Sequence, residues 1–290
     1  MRAEDLAPNL LLVLGAVAGL ASGLAAARFA DVRSARYDIV HVAPARTPRN
    51  VVVVLLGIAI AMWLAHLVSG APGVSVERAG FYFTTNLTLA LALVAAAAID
   101  LEHMVLPNGL TLVAGLLALG TSYWRAVGLV GALGGAAVGL TLTYLPFLLY
   151  KKLRGRSGMG LGDAKLAVVA GLWLGAPGAI FVLFAGAVQA ALCAIVLRVL
   201  GKELAMPESV QAELAELRAK AEAGDAEARA VLADDPMAAD VGGRDRAGGG
   251  AASLATMRLP MGPFLVLACL EFLFAQAQIL DVLRRFLSPP

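Results

Sequence analysis

Apolar runs of about twenty residues recur along this chain, and a run of that length has few possible homes. It is long enough for one helix to cross the ~30 Å hydrocarbon core of a bilayer. In lipid, a backbone must satisfy its own hydrogen bonds, and a helix does so within one segment. Reading apolar runs between charges gives eight candidate spans: about Leu6–Ala27, Val51–Ser69, Phe81–Ile99, Leu110–Trp124, Val127–Tyr150, Leu166–Leu174, Gly178–Leu197 and Pro260–Leu280. The sixth is too short to cross alone. Gly175, Pro177 and Gly178 break the run there, so spans six and seven are read as a tight apolar hairpin. If the sixth does not cross, the count is seven.

Composition agrees. The chain is 60% hydrophobic and 15% charged, with a mean hydropathy of +0.80, whereas a soluble domain carries about 25% charged residues. The expected fold is all-α, a polytopic transmembrane helix bundle of about eight spans with the lipid bilayer as its partner. The net charge of +2 and the lack of a basic cluster with interleaved aromatics give no sign of nucleic acid. Cys193 and Cys269 lie in separate apolar runs without a CxxC partner, so they are read as buried thiols. The first run follows the head MRAED, which has more acid than base, and is long enough to span. It is therefore read as a retained helix rather than a cleaved signal.

Orientation follows from the distribution of basic residues. With the amino terminus outside, the inner segments hold Arg28, Arg33, Arg36, Arg46 and Arg49, then Lys151, Lys152, Arg154, Arg156 and Lys165, then Arg198 and the bases up to Arg258. Of the 23 basic residues only Arg2, Arg78, Arg125, Arg284 and Arg285 remain for the other face. The chain thus divides into membrane helices over residues 1–200, a cytoplasmic polar insert over 201–258, and a final span with a short tail over 259–290. The insert has seven basic and eleven acidic residues. Val210, Leu214, Leu217 and Ala221 lie at helical spacing in it. LRAKAEAGDAEARAVL is similar to one unit of a helical solenoid, but a single unit cannot bury its own face, so a surface helix is expected. The glycine-rich stretch from Asp240 to Ala252 reads as a flexible linker.

Ionisable groups at membrane depth cost about 2.5–3.5 kcal/mol each, so those near span ends call for a reason. Asp100 closes the third span in LVAAAAIDLEHMVLPNG, and Asp163 opens the sixth in GRSGMGLGDAKLAVVAG. Two crossings separate them, which returns both to one face. Paired carboxyl groups suit peptide hydrolysis: two groups about 3 Å apart share one proton, so one serves as base toward water and the other as acid. Gly158, Gly160 and Gly162 allow positive φ or close approach before the helix begins, and Pro107 with Asn108 marks a turn after Asp100. Gly160, Gly162, Lys165, Glu102 and Pro107 are candidate site-shaping residues. Each aspartate also has a plainer reading, Asp163 as an N-cap and Asp100 as a headgroup-level carboxylate. Glu102 and His103 are read as solvated interface residues. His103, His66 and His41 have no neighbouring ligands in sequence, so no metal site is expected. Glu271, inside the last span, is either a hydrogen-bonded structural acid or part of a substrate site.

IDLEHMVLPN and GMGLGDAKL together resemble the two signature motifs of the type IV prepilin peptidases, membrane aspartyl proteases of the GxGD class. GLGD at 160–163 fits that class pattern, and LPMGPFLVLACL resembles the family's final segment. The resemblance covers roughly Phe81–Leu200 and Leu259–Leu280. It implies that Asp100 and Asp163 are the catalytic pair. It also implies cleavage of the short basic leader of prepilins or pseudopilins at the cytoplasmic face of the bacterial inner membrane, just before the apolar helix. Many members also methylate the new amino terminus with S-adenosylmethionine. The common form carries two zinc-binding CxxC pairs after the first span. Here Arg28 to Asn50 is short and has no cysteine, so zinc is not expected and S-adenosylmethionine is relevant only if methylation is retained. The competing reading is an ion-coupled transporter or proton channel using Asp100, Asp163 and Glu271. Such proteins place their acids near the midplane, often in repeated halves.

Overall fold

The computed structural model describes residues 8–36, 46–71, 73–154, 161–201, 208–234 and 259–287. Among them the regular structure is helical: α1 Pro8–Ser34, α2 Thr47–Ser69, α3 Val76–His103, α4 Asn108–Gly120, α5 Gly128–Arg154, α6 Leu161–Val199, α7 Glu208–Glu222, α8 Ala226–Asp234 and α9 Gly262–Leu287. Six of these, α1, α2, α3, α5, α6 and α9, are long and apolar enough to cross a membrane.

That is two fewer than the eight runs read from sequence, for two reasons. α4 has 13 residues, about 20 Å at 1.5 Å per residue. The sixth and seventh runs are two helical arms of α6 separated by a kink at Gly175 (φ 77°, ψ −176°), with Pro177 just beyond, and the first arm is too short to cross alone. At Gly178 an added Cβ would run into the Leu174 side chain, so the bend is sharp. The first arm ends in carbonyls that the bend strips of their helical partners. Arg125 replaces those partners: its guanidinium donates to Leu172 O at 3.1 Å and also to Trp173 O and Ala118 O.

α3 is the central helix and touches α1, α2, α4 and α9. Its Leu89, Leu93 and Ile99 are fully buried. α1 and α2 pack through small residues, which lets backbones approach where lipid provides no hydrophobic drive. An added Cβ at Gly19 would lie 2.6 Å from Gly57 O. α5 and α6 do the same, with Gly135 against the backbone of Gly171.

The polar insert contributes more than one surface helix. α7 and α8 form a helical hairpin, with Gly224 at φ 102° and Asp225 Oδ1 accepting from the N–H groups of Glu227 (2.9 Å) and Ala228 (3.2 Å). Leu214 and Ala228 are buried, so the pair shelters a small apolar seam that one helix could not. The expected linker over 240–252 lies outside the described residues.

Candidate active site

Asp100 sits in the last turn of α3 and is 5% exposed. The helix stops just beyond it. Met104 takes a left-handed conformation (φ 52°, ψ 32°), and its N–H donates to Asp100 O at 2.8 Å. A left-handed non-glycine residue costs roughly 1–2 kcal/mol, so packing on both sides must hold this turn. Pro107 then opens α4: its extended backbone presents its C=O to the N–H groups of Leu110 (3.1 Å) and Thr111 (3.2 Å).

Asp163 lies in the first turn of α6, partly buried. The helix begins at Leu161, so Asp163 stands inside the first turn rather than at the N-cap. It lies within electrostatic reach of the Asp100 carboxyl group. Residues 63 positions apart in sequence therefore lie near one another at one end of the bundle. Asp100 has a further partner from the far end of the chain: the N–H of Gly262, the first residue of α9, donates to Asp100 Oδ2 at 3.0 Å. A Cβ at that position would lie 2.5 Å from the same oxygen.

The other candidate residues take varied places. Gly162 is within α6, and a Cβ there would lie 3.1 Å from Leu106 Cδ1, so close approach, not positive φ, is its role. Gly158 and Gly160 lie outside the described residues, as does His41. Lys165 is exposed and donates to Asn108 Oδ1 at 2.6 Å, bridging α6 to α4. Glu102 and His103 are not solvated as expected. His103 is 5% exposed, and Glu102 accepts from Arg49 Nη1 at 2.6 Å and Arg46 Nε at 3.4 Å. Arg49 also reaches Asp31 and donates to Ser34 Oγ at 3.2 Å, while Asn50 Nδ2 donates to Asp31 Oδ2 at 2.8 Å. The ends of α1, α2 and α3 are thus tied beside Asp100. Glu271 accepts from Gln189 Nε2 at 2.7 Å. Nine residues beyond Gly262 on α9, it lies about 14 Å along the helix from the aspartates. Among the described residues no three His, Cys, Asp or Glu side chains converge as a metal site requires.

Gly262, Arg46, Arg49 and Asp31 are parts of this end that the motifs did not single out. The one available signal for Gly262 was its place in LPMGP at the head of the last apolar run.

Residues 87–195 match a model described as the type IV leader peptidase family. Among curated proteins, the chain is similar to a "Prepilin leader peptidase/N-methyltransferase" of Xanthomonas campestris pv. campestris, 38% identical over 147 residues, which is 46% of this chain and 48% of that protein. A protein of the same description from Aeromonas hydrophila is 35% identical over 49% of this chain and 42% of its own length. Another from Stutzerimonas stutzeri is 39% identical over 31% of each. The chain spans about half the length, or less, of these relatives. No solved structure matches. The matched segment contains both Asp100 and Asp163, so over residues 87–195 the chain is similar to the type IV leader peptidase family.

Proposed function

We propose that this chain is an intramembrane aspartic endopeptidase that removes the basic leader of type IV prepilins or pseudopilins at the cytoplasmic face of the bacterial inner membrane. The observation that carries this reading is the proximity of Asp100 and Asp163 at one end of the bundle, within a segment that matches leader peptidases. In the proposed reaction one ionised carboxylate takes a proton from water. The water oxygen adds to the scissile carbonyl carbon, and the other, protonated carboxyl group gives its proton to the carbonyl oxygen. As the tetrahedral intermediate collapses, the C–N bond breaks and a proton passes to the leaving amine. The Gly262 N–H fixes one Asp100 oxygen and leaves the other for this exchange. The cytoplasmic orientation is supported by Arg46, Arg49 and Lys165 at the same end.

The relatives' descriptions also include N-methyltransferase. S-adenosylmethionine carries an ammonium and a carboxylate, which need opposite charges. Among the described charges at this end, Asp31, Arg46, Arg49 and Glu102 pair with one another. They do not fit the donor, and no methyl-transfer step is drawn through them.

The test is to incubate the purified chain with a type IV prepilin in lipid vesicles and read the intact mass of the product. The expected product has lost its leader, and the same spectrum reports any added methyl group. An intact precursor, under conditions where the Xanthomonas relative cleaves it, counts against the proposal.

A further inference from the structure

A cleft of about 640 Å³ opens between α4, α5 and α6, and its lining reaches Ala164, the residue after Asp163. Its upper rim is Asn108 and Lys165, joined at 2.6 Å. Lys165 is two residues after Asp163, and Asn108 opens the helix that follows the Asp100 turn. Below that rim the wall is apolar: Leu112 and Leu116 on α4, Leu140 and Tyr144 on α5, Val168 and Leu172 on α6. Leu112, Leu116 and Leu140 are 63%, 59% and 47% exposed, so this wall has no partner among the described residues. From Asn108 to Leu119 the cleft follows α4 for about 16 Å, or three helical turns.

We infer that this cleft seats the first three turns of the substrate's apolar helix, immediately beyond the bond that is cut; the inference rests on the cleavage reading above. A substrate cut at the aspartates and continuing as a membrane helix must change from polar to apolar at that level and then descend along the bundle. The cleft makes the same change at the same level and runs in the same direction. A helix lying in it presents an i, i+3, i+4, i+7 face to the wall. Contact there is van der Waals packing, the main source of helix association in lipid. A lipid tail would wet the same wall but has no need of the Asn108–Lys165 rim. A second apolar cleft, lined by Leu14, Val76 and Phe83 among others, lies at the opposite end of α3 from Asp100 and cannot receive a chain leaving the site.

The test uses the full chain in lipid vesicles with a leader-bearing type IV prepilin. A photo-reactive side chain at position 116, in an Asp100→Asn background that retains substrate, should crosslink to the first three turns of the prepilin helix. The same group at position 14 should not. Crosslinks to lipid alone, or equal crosslinking at both positions, would overturn the inference. Leu116→Trp, which narrows the cleft from its lipid side, should raise KM about tenfold with kcat nearly unchanged, the loss expected for one or two buried contacts. An unchanged KM with the crosslink absent also overturns it. Failure of the unsubstituted chain to cleave prepilin at all strikes the cleavage reading instead.

Discussion

The backbone N–H of Gly262 donates to Asp100 Oδ2 at 3.0 Å, joining the start of α9 to the end of α3 across 162 positions of sequence. The bond is buried, and there is no room for a side chain at 262. Asp100 is thus held from two directions, by its own helix and by the last one.

Gly262→Ala should therefore act on the reaction more than on the fold. Its Cβ would meet the carboxyl oxygen at 2.5 Å, so the carboxyl group must move. Displacement of a catalytic group by about 1 Å costs on the order of 100-fold in rate. Steady-state cleavage of prepilin checks this, with the thermal midpoint in detergent as the control. A rate within twofold of the unsubstituted chain would show that Asp100 does not need this bond.

Arg49→Met should destabilise the bundle. Arg49 serves Glu102, Asp31, Ser34 and Asn50 together, and its loss leaves Glu102, with a side chain 17% exposed, with a weaker partner in Arg46. Loss of a hydrogen bond to a charged group of this kind costs about 1.5–3 kcal/mol. Arg49→Lys should recover part of that, because an ammonium keeps the charge but not the bidentate fork. Thermal unfolding of the three proteins gives the order: Arg most stable, then Lys, then Met.

Arg125→Met should also lower stability, by about 2 kcal/mol or more, since it leaves the Leu172 and Trp173 carbonyls at the broken end of α6 unpaired. This site is at the far end of the first arm of α6 from Asp163. Residual activity per folded molecule should stay within about twofold, as for changes remote from a reacting centre.

Much of the site is legible in the sequence because it rests on periodicity and counting. Asp100 and Asp163 interrupt apolar runs, and the two runs between them, read as crossings, bring both to one end; the structure does so with the short α4 and the longer α5. Hydropathy does less well at boundaries. α6 starts at Leu161, five residues before the apolar run begins at Leu166, because Gly162, Asp163 and Lys165 are polar or small yet helical. Its break into two arms was legible in Gly175 and Pro177. The contacts around Asp100 were the least legible. Gly262 acts through its backbone N–H, which every residue but proline has. Arg49 and Glu102 are 53 positions apart with no spacing rule to link them. The inward turn of His103 depends on tertiary packing that a local reading of DLEH misses.

The insert should prove accessory to cleavage. α7 and α8 pack mainly on each other and touch the bundle at α3. Replacing residues 208–234 with a Gly/Ser linker of equal length, which behaves as a flexible chain, should leave prepilin processing within twofold. Loss of processing with the membrane helices intact by circular dichroism would assign the insert a direct part in the reaction.

The most direct measurement is prepilin cleavage by Asp100→Asn and Asp163→Asn, each purified and shown to retain its helical content. Asparagine keeps the shape but can neither take nor give the shared proton. Both variants should lose on the order of a thousandfold or more in rate, within the range general acid–base groups contribute. Full processing by either one would contradict a catalytic pair made of Asp100 and Asp163.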